Sequence, residues 1–194
     1  AKENSDLIRE LMGELRARGV GEQHHFFEVS ADWRCPCCHR PKVEIARLDK
    51  NRNLLCSLHN HHDHFGDYVS GKLPSTNVEG LVSSFCRFPD TLICSDCNVA
   101  EPNAKAIAGA LEHFSFAPHE ISLFITVRPR AGHIVRPDCA KRTYEAAKPT
   151  MRLIKDRLRA VMLAAAAEDD DTFEAIAGSA WRVLKEANNA RKGR

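Results

Sequence analysis

The chain has 194 residues, of which 43% are hydrophobic and 28% charged, and its formal net charge is +2 at pH 7. This composition is typical of one globular domain, or of a small domain with helical attachments, and it excludes a disordered chain. No apolar run approaches the ~20 residues that span a bilayer and no secretory leader opens the chain, so we expect no membrane partner and a cytoplasmic location.

Hydrophobic spacing and turn residues predict the elements of the first half. In chain order they are a helix over 5–18, a polar connection over 19–31, and a β-hairpin of 42–48 with 53–64.

The second half is predicted to be mostly helical. Its elements are a loop over 66–75, a helix over 76–88 ended by Pro89, a short apolar run at Leu92-Ile93, a helix from about Cys97, and helices over 117–126, 140–167 and 172–190. Proline lacks a backbone donor, so Pro102 predicts a break or a second helix start, and Pro149 predicts a kink or a split.

Eight cysteines are present, and four of them form two Cys-x-x-Cys pairs separated by 55 residues. Paired thiols at this spacing are typical of a tetrahedral structural zinc site in a chain of a reducing compartment. The predicted Zn²⁺ ligands are Cys35, Cys38, Cys94 and Cys97.

Polar residues of a second kind lie near these pairs: Asp63 and His64 between them, and Asn98 directly after the last cysteine. Hydrolysis of a phosphodiester needs an activated water and charge neutralisation, which an imidazole and a divalent cation supply. Carboxylate and amide oxygens are the ligands that Mg²⁺ prefers. The sequence therefore indicates a catalytic metal site beside a structural one.

Asp63-His64, followed by Leu92-Ile93-Cys94-x-x-Cys97-Asn98, resembles the HNH, or ββα-metal, endonucleases. The resemblance covers about residues 34–111. Within that family, the sequence pattern is similar to the phage junction-resolving enzymes and to the zinc-bearing restriction enzymes. It implies a ββα-metal finger that hydrolyses DNA, duplex or branched, with Mg²⁺ or Mn²⁺ and leaves 5′-phosphate ends.

The resemblance also implies roles for individual residues. His64 would be the general base, Asp63 and Asn98 would hold the catalytic divalent ion, and Glu101 would bind that ion or a water. A register shifted by two stays open, with His61 as a ligand and His62 as the base, and we favour Asp63/His64 because Mg²⁺ prefers a carboxylate.

The chain departs from the family pattern in two further ways. Residues 66–88 form an insertion of unknown role. The middle Asn of the family, which buttresses the strand before the second cysteine pair, is absent, and Asp90 occupies that region.

Basic residues concentrate in 128–159, where ten Lys or Arg face three Asp or Glu, a net charge of +7. Such a segment can follow a phosphate backbone. The expected phosphate contacts are Arg152, Lys155, Arg157 and Arg159. A solvated helix face or a homodimer contact is the alternative.

The sequence thus predicts a helix-rich α+β protein, namely a central finger over 34–112 between an N-terminal helix and connector (1–33) and a helical C-terminal region (113–194). The predicted function is an HNH endonuclease. The alternatives are a non-catalytic zinc module that binds nucleic acid, and an RNA-directed or toxin nuclease of the same family.

Overall fold

A computed structural model of the protein describes residues 2–72 and 78–166. Helices predominate and the strands form small sheets, which confirms the helix-rich α+β class. The predicted helix over 172–190 lies outside the described residues. Among those that are described, no helix combines the length and the apolarity needed to cross a bilayer.

The helices are α1 (Lys2–Leu15), α2 (Lys42–Ile45), α3 (His64–Ser70), α4 (Val78–Phe85), α5 (Ser95–Ala108), α6 (Pro118–Phe124) and α7 (Pro137–Ala166). The strands are β1 (Gly19–Val20), β2 (Arg47–Leu48), β3 (Asn53–Leu55), β4 (Leu58–His61), β5 (Thr91–Cys94), β6 (Ile125–Thr126) and β7 (Ile134–Val135).

The chain forms two compact units, each built from segments that are distant in sequence. The first takes in the residues up to His61, then Asp90–Leu111 and Phe116–Thr143, and the second takes in His62–Pro89, Glu112–Ser115 and the described residues from Tyr144 onward. The predicted division at residues 33 and 112 follows other boundaries and stays a prediction.

In the first unit, α1 covers a small sheet of order β1-β3-β2, in which β1 runs parallel and β2 antiparallel to β3. The predicted apolar face of α1 is confirmed, although the helix begins and ends three residues earlier than predicted. The buried hydrophobic cluster to which α1 and the sheet contribute consists of Ile8, Leu11, Phe26, Ala46, Leu54 and Cys56.

The predicted hairpin of 42–48 with 53–64 is right only in part. Its centre exists, because Leu48 pairs with Leu54 in the antiparallel β2–β3 ladder. Lys42–Ile45, however, is the short helix α2, and the second strand does not reach His64. The chain leaves β4 at His61, and the Asp63 carboxylate then caps α3 by accepting a hydrogen bond from the Phe65 amide at 3.1 Å. Aspartate at this position stabilises a helix start, which ends the strand early.

Strands β4 and β5 of the first unit pair antiparallel, with Leu58 opposite Cys94 and His61 opposite Thr91. The chain passes directly from β5 into α5, whose N-cap is Cys94. The predicted break at Pro102 is wrong, because α5 continues to Ala108. Proline removes one donor from the helix, but burial of the neighbouring turns outweighs that loss.

Helices α3 and α4 pack together in the second unit. The predicted loop over 66–75 is wrong at its start, since α3 extends to Ser70. Gly66 permits close packing here, because a Cβ at this position would lie 2.8 Å from the Cys86 Sγ. Helix α4 begins at Val78 and ends at Phe85, inside the predicted 76–88.

The last described helix, α7, runs without interruption through Pro149, so the predicted split is not observed. In the second unit it buries an apolar stripe at spacings of three and four residues, which holds the helix together across the missing donor: Tyr144, Ala147, Met151, Ile154 and Leu158. The predicted helix over 117–126 ends at Phe124, and the next two residues form β6, which pairs with β7.

Candidate metal centres

The two cysteine pairs come together in the first unit as a buried group of four thiols. The Cys35 and Cys97 sulfurs lie 3.8 Å apart, the Cys38 and Cys94 sulfurs 3.7 Å apart, and all four lie within 4.8 Å of one another. Four sulfurs at ~2.3 Å from one zinc ion would be separated by about 3.8 Å along each edge of the tetrahedron. The group therefore fits a metal ion such as Zn²⁺.

Local structure positions both pairs. Cys35 begins a tight turn in which its carbonyl accepts a hydrogen bond from the His39 amide at 2.8 Å, and His39 takes the left-handed conformation with φ 59°. Cys94 ends β5 and Cys97 lies in the first turn of α5. The Cys94 amide also donates to the Cys35 sulfur at 3.4 Å, which joins the turn to the β5–α5 junction.

A buried cation supports the thiol group. The Arg40 guanidinium, only 2% exposed, donates to the Cys38 and Cys94 sulfurs at 3.4 Å each and forms an ion pair with Asp96 at 2.7 Å. Burial opposes this charge, but Asp96 and the two cysteines raise the pKa of Arg40 above its ordinary value. Donors of this kind stabilise metal-bound thiolates.

Hydrogen bonds among the thiols shift their pKa values in opposite directions. Hydrogen bonding with Cys37, the largest cause, lowers the pKa of Cys35, whereas hydrogen bonding with Cys35, the largest cause, raises the pKa of Cys97. The pKa of Cys38 is lowered to about 4: Cys35 raises it, but hydrogen bonds from Cys94 and Cys97 outweigh that effect. Metal binding at such a group displaces the remaining protons.

Two of the predicted catalytic residues hold backbone groups in place. Asp63 is 3% exposed, and its second oxygen accepts from the Arg87 amide at 2.8 Å. Glu101 is 4% exposed, accepts from the Phe116 amide at 3.1 Å and pairs with Lys105 at 3.1 Å. A metal-ligand role for either carboxylate has to coexist with these contacts, and it stays a prediction.

His61, the ligand of the shifted register, is also buried in the first unit. Its Nε2 lies 2.7 Å from the Phe116 carbonyl oxygen, so this nitrogen carries the proton and donates it. His61 and Glu101 thus hold the two sides of the Phe116 backbone. The Asn60 side-chain amide donates to the Asp90 carboxylate at 3.3 Å, which links β4 to the residue before β5.

His62 and His64 lie near each other in the second unit, half-buried, with ring centroids 4.9 Å apart. The His62 Nε2 lies 3.0 Å from a carboxylate oxygen of Asp67, a residue that the sequence analysis did not single out. The side chain that completes the predicted set, Asn98, is half-buried on α5 of the first unit.

The predicted phosphate contacts lie on α7 in the second unit. Arg152, Lys155 and Arg159 are exposed and Arg157 is half-buried. Positions 152, 155 and 159 follow the three- and four-residue spacing of one helix face. The three exposed cations, Arg152, Lys155 and Arg159, therefore form a basic stripe along the helix.

Sequence reasoning missed Arg40, Asp96 and Asp67. The first two lie within or next to the Cys-x-x-Cys pairs, a position that could have signalled support for the thiols. Asp67 follows His64 by three residues, and this spacing brings two side chains to the same face only if the segment is helical. No protein-family description, curated protein or solved structure matches the chain.

Proposed function

We propose that the protein is a metal-dependent endonuclease of the HNH type, which hydrolyses DNA phosphodiester bonds. The observation that carries this proposal is the order of elements: an antiparallel β4–β5 pair leads directly into α5, and paired imidazoles follow β4. A four-thiol group able to hold zinc fixes the β5–α5 junction.

In this proposal an imidazole of the 62–64 segment activates the attacking water. His64 is the predicted base, and His62 is the alternative. The Asp67 carboxylate beside His62 favours the alternative, because a carboxylate at hydrogen-bond distance orients an imidazole and stabilises its protonated form. The ligand roles of Asp63 and Asn98 belong to the proposal on the strength of the family resemblance alone.

A non-catalytic zinc module that binds nucleic acid is the second candidate. One observation favours it: the Asp63 and Glu101 carboxylates are buried and accept backbone amides, a structural use that needs no catalytic ion. The basic stripe on α7 suits both candidates, since either one needs contacts to phosphates.

Incubation with supercoiled plasmid distinguishes the two candidates. The endonuclease proposal predicts nicked or linear product with Mg²⁺ or Mn²⁺ and none after the metal is chelated. Retarded but intact plasmid under every ion would support the binding module and contradict the endonuclease.

A further inference from the structure

We propose that His62, His64 and Asp67 together bind a divalent transition-metal ion in the second unit. The inference deepens the proposed function, on which its catalytic meaning rests, by naming the class of ion at the histidine segment. The three residues offer one ligand atom each, and these atoms lie within 4.8 Å of one another.

The distances suit one ion. Ligand atoms at ~2.1 Å from a metal, at right angles to each other, are separated by about 3.0 Å. The His62 Nε2 and the Asp67 oxygen already have this separation, 3.0 Å. His64 and Asp67 lie three residues apart on α3, a spacing that brings side chains to the same helix face.

The donor set selects the ion. Two imidazoles and one carboxylate suit Mn²⁺, Co²⁺, Ni²⁺ or Zn²⁺, whereas Mg²⁺ prefers oxygen ligands throughout. Three protein ligands leave coordination positions open to water or to a phosphate oxygen. Solvent can reach them, because the His62 side chain is 39% exposed and that of Asp67 is 66% exposed.

His62 and His64 would then both serve the reaction as ligands rather than as the base, and the bound ion would itself lower the pKa of the attacking water. Both roles predict that cleavage is lost when His64 is removed, but only the ligand role predicts that an ion is lost as well. The competing account is a plain surface ion pair between His62 and Asp67, which requires no metal.

The test is calorimetric titration of the zinc-loaded full chain with Co²⁺, with elemental analysis to verify that zinc is retained. We expect one Co²⁺ per chain, unaffected by a tenfold excess of Mg²⁺. His62→Ala, His64→Ala and Asp67→Asn should each weaken Co²⁺ binding at least about tenfold. The matched controls His119→Ala and Asp138→Asn remove exposed residues of the same types and should bind like the parent.

The outcomes separate this inference from the proposed function. Absence of Co²⁺ binding, or parent-like binding by all three variants, overturns the inference even if the plasmid is cut with Mg²⁺. Co²⁺ binding that the three variants lose supports it, even if no ion sustains cleavage, and in that case the endonuclease proposal fails alone. Each variant's melting temperature verifies that weaker binding does not reflect unfolding.

Discussion

At the scale of single residues, the fully buried Lys42 stabilises the first unit through the hydrogen bonds of its ammonium group. Its Nζ donates to the Asn4 side-chain oxygen at 2.8 Å and to the Phe26 and Val29 carbonyls at 2.7 and 2.9 Å. An ammonium group has three donors, and all three are used here. Lys42 thereby joins α1, α2 and the connection between them.

We predict that Lys42→Met destabilises the protein, because the side chain keeps its volume but leaves these buried acceptors without their donor. The free energy of unfolding should fall by about 2–4 kcal/mol. Urea denaturation measures this change. Lys50→Met, at an exposed position, is the control and should stay within about 0.5 kcal/mol of the parent. Equal stability of the two variants would contradict the structural role of Lys42.

Residue-scale prediction from sequence succeeded where spacing alone defines the chemistry. The paired cysteines were found because two residues between thiols suit a single metal at a turn. The ion pair between Arg40 and Asp96 was not predictable in the same way, because these residues are 56 positions apart and meet only in the folded chain. The local structure at Asp63 was misjudged: Asp63-His64 was placed at a strand end, whereas the Asp63 carboxylate caps a helix.

At the scale of elements, the basic stripe on α7 has the exposure and the spacing of a phosphate-binding face. Neutralising a phosphate contact removes about 0.9 from the salt slope of binding to duplex DNA. The triple variant Arg152→Ala, Lys155→Ala, Arg159→Ala should therefore lower the slope of log K against log salt by up to about 2.7. Fluorescence anisotropy with a labelled duplex at several salt concentrations measures it.

A triple variant of the first unit is the control for this experiment. Arg9, Arg18 and Lys50 are also exposed cations, so replacing them by Ala removes the same formal charge. If both triple variants changed the slope equally, the α7 cations would contribute to DNA binding only through the net positive charge of the protein. An unchanged slope in the α7 variant would leave the stripe as a solvated helix face.

Prediction of the elements failed mainly at prolines and glycines, where tertiary packing overrode local preference. Pro102 was expected to interrupt a helix and Pro149 to kink or split one, yet both lie inside continuous helices, because the flanking turns bury apolar residues. Gly66 indicated a loop, but it lies in α3 close to the Cys86 sulfur. Sequence periodicity carries no information about such contacts.

At the scale of the whole molecule, the four-thiol group ties together segments that are otherwise short and weakly paired. Structural zinc contributes its binding free energy to folding, on the order of 10 kcal/mol or more. Cys94→Ser should therefore give insoluble or loosely folded protein, whereas Cys139→Ser, outside the thiol group, should remain folded. Circular dichroism and elemental analysis check this prediction, and fresh reduced parent protein without bound metal would contradict it.

The central claim, endonuclease activity at the histidine segment, is tested most directly by His64→Ala in parallel with His119→Ala. The rate of plasmid cleavage and the affinity for uncut DNA are measured on the same preparations. The account predicts that His64→Ala loses about 10²–10⁴-fold in rate and keeps its DNA affinity, because a catalytic group is removed and the basic stripe is not. His119→Ala should match the parent in both. Cleavage by His64→Ala at the parent rate would contradict a role of His64, and parent-rate cleavage by His62→Ala as well would contradict the whole account.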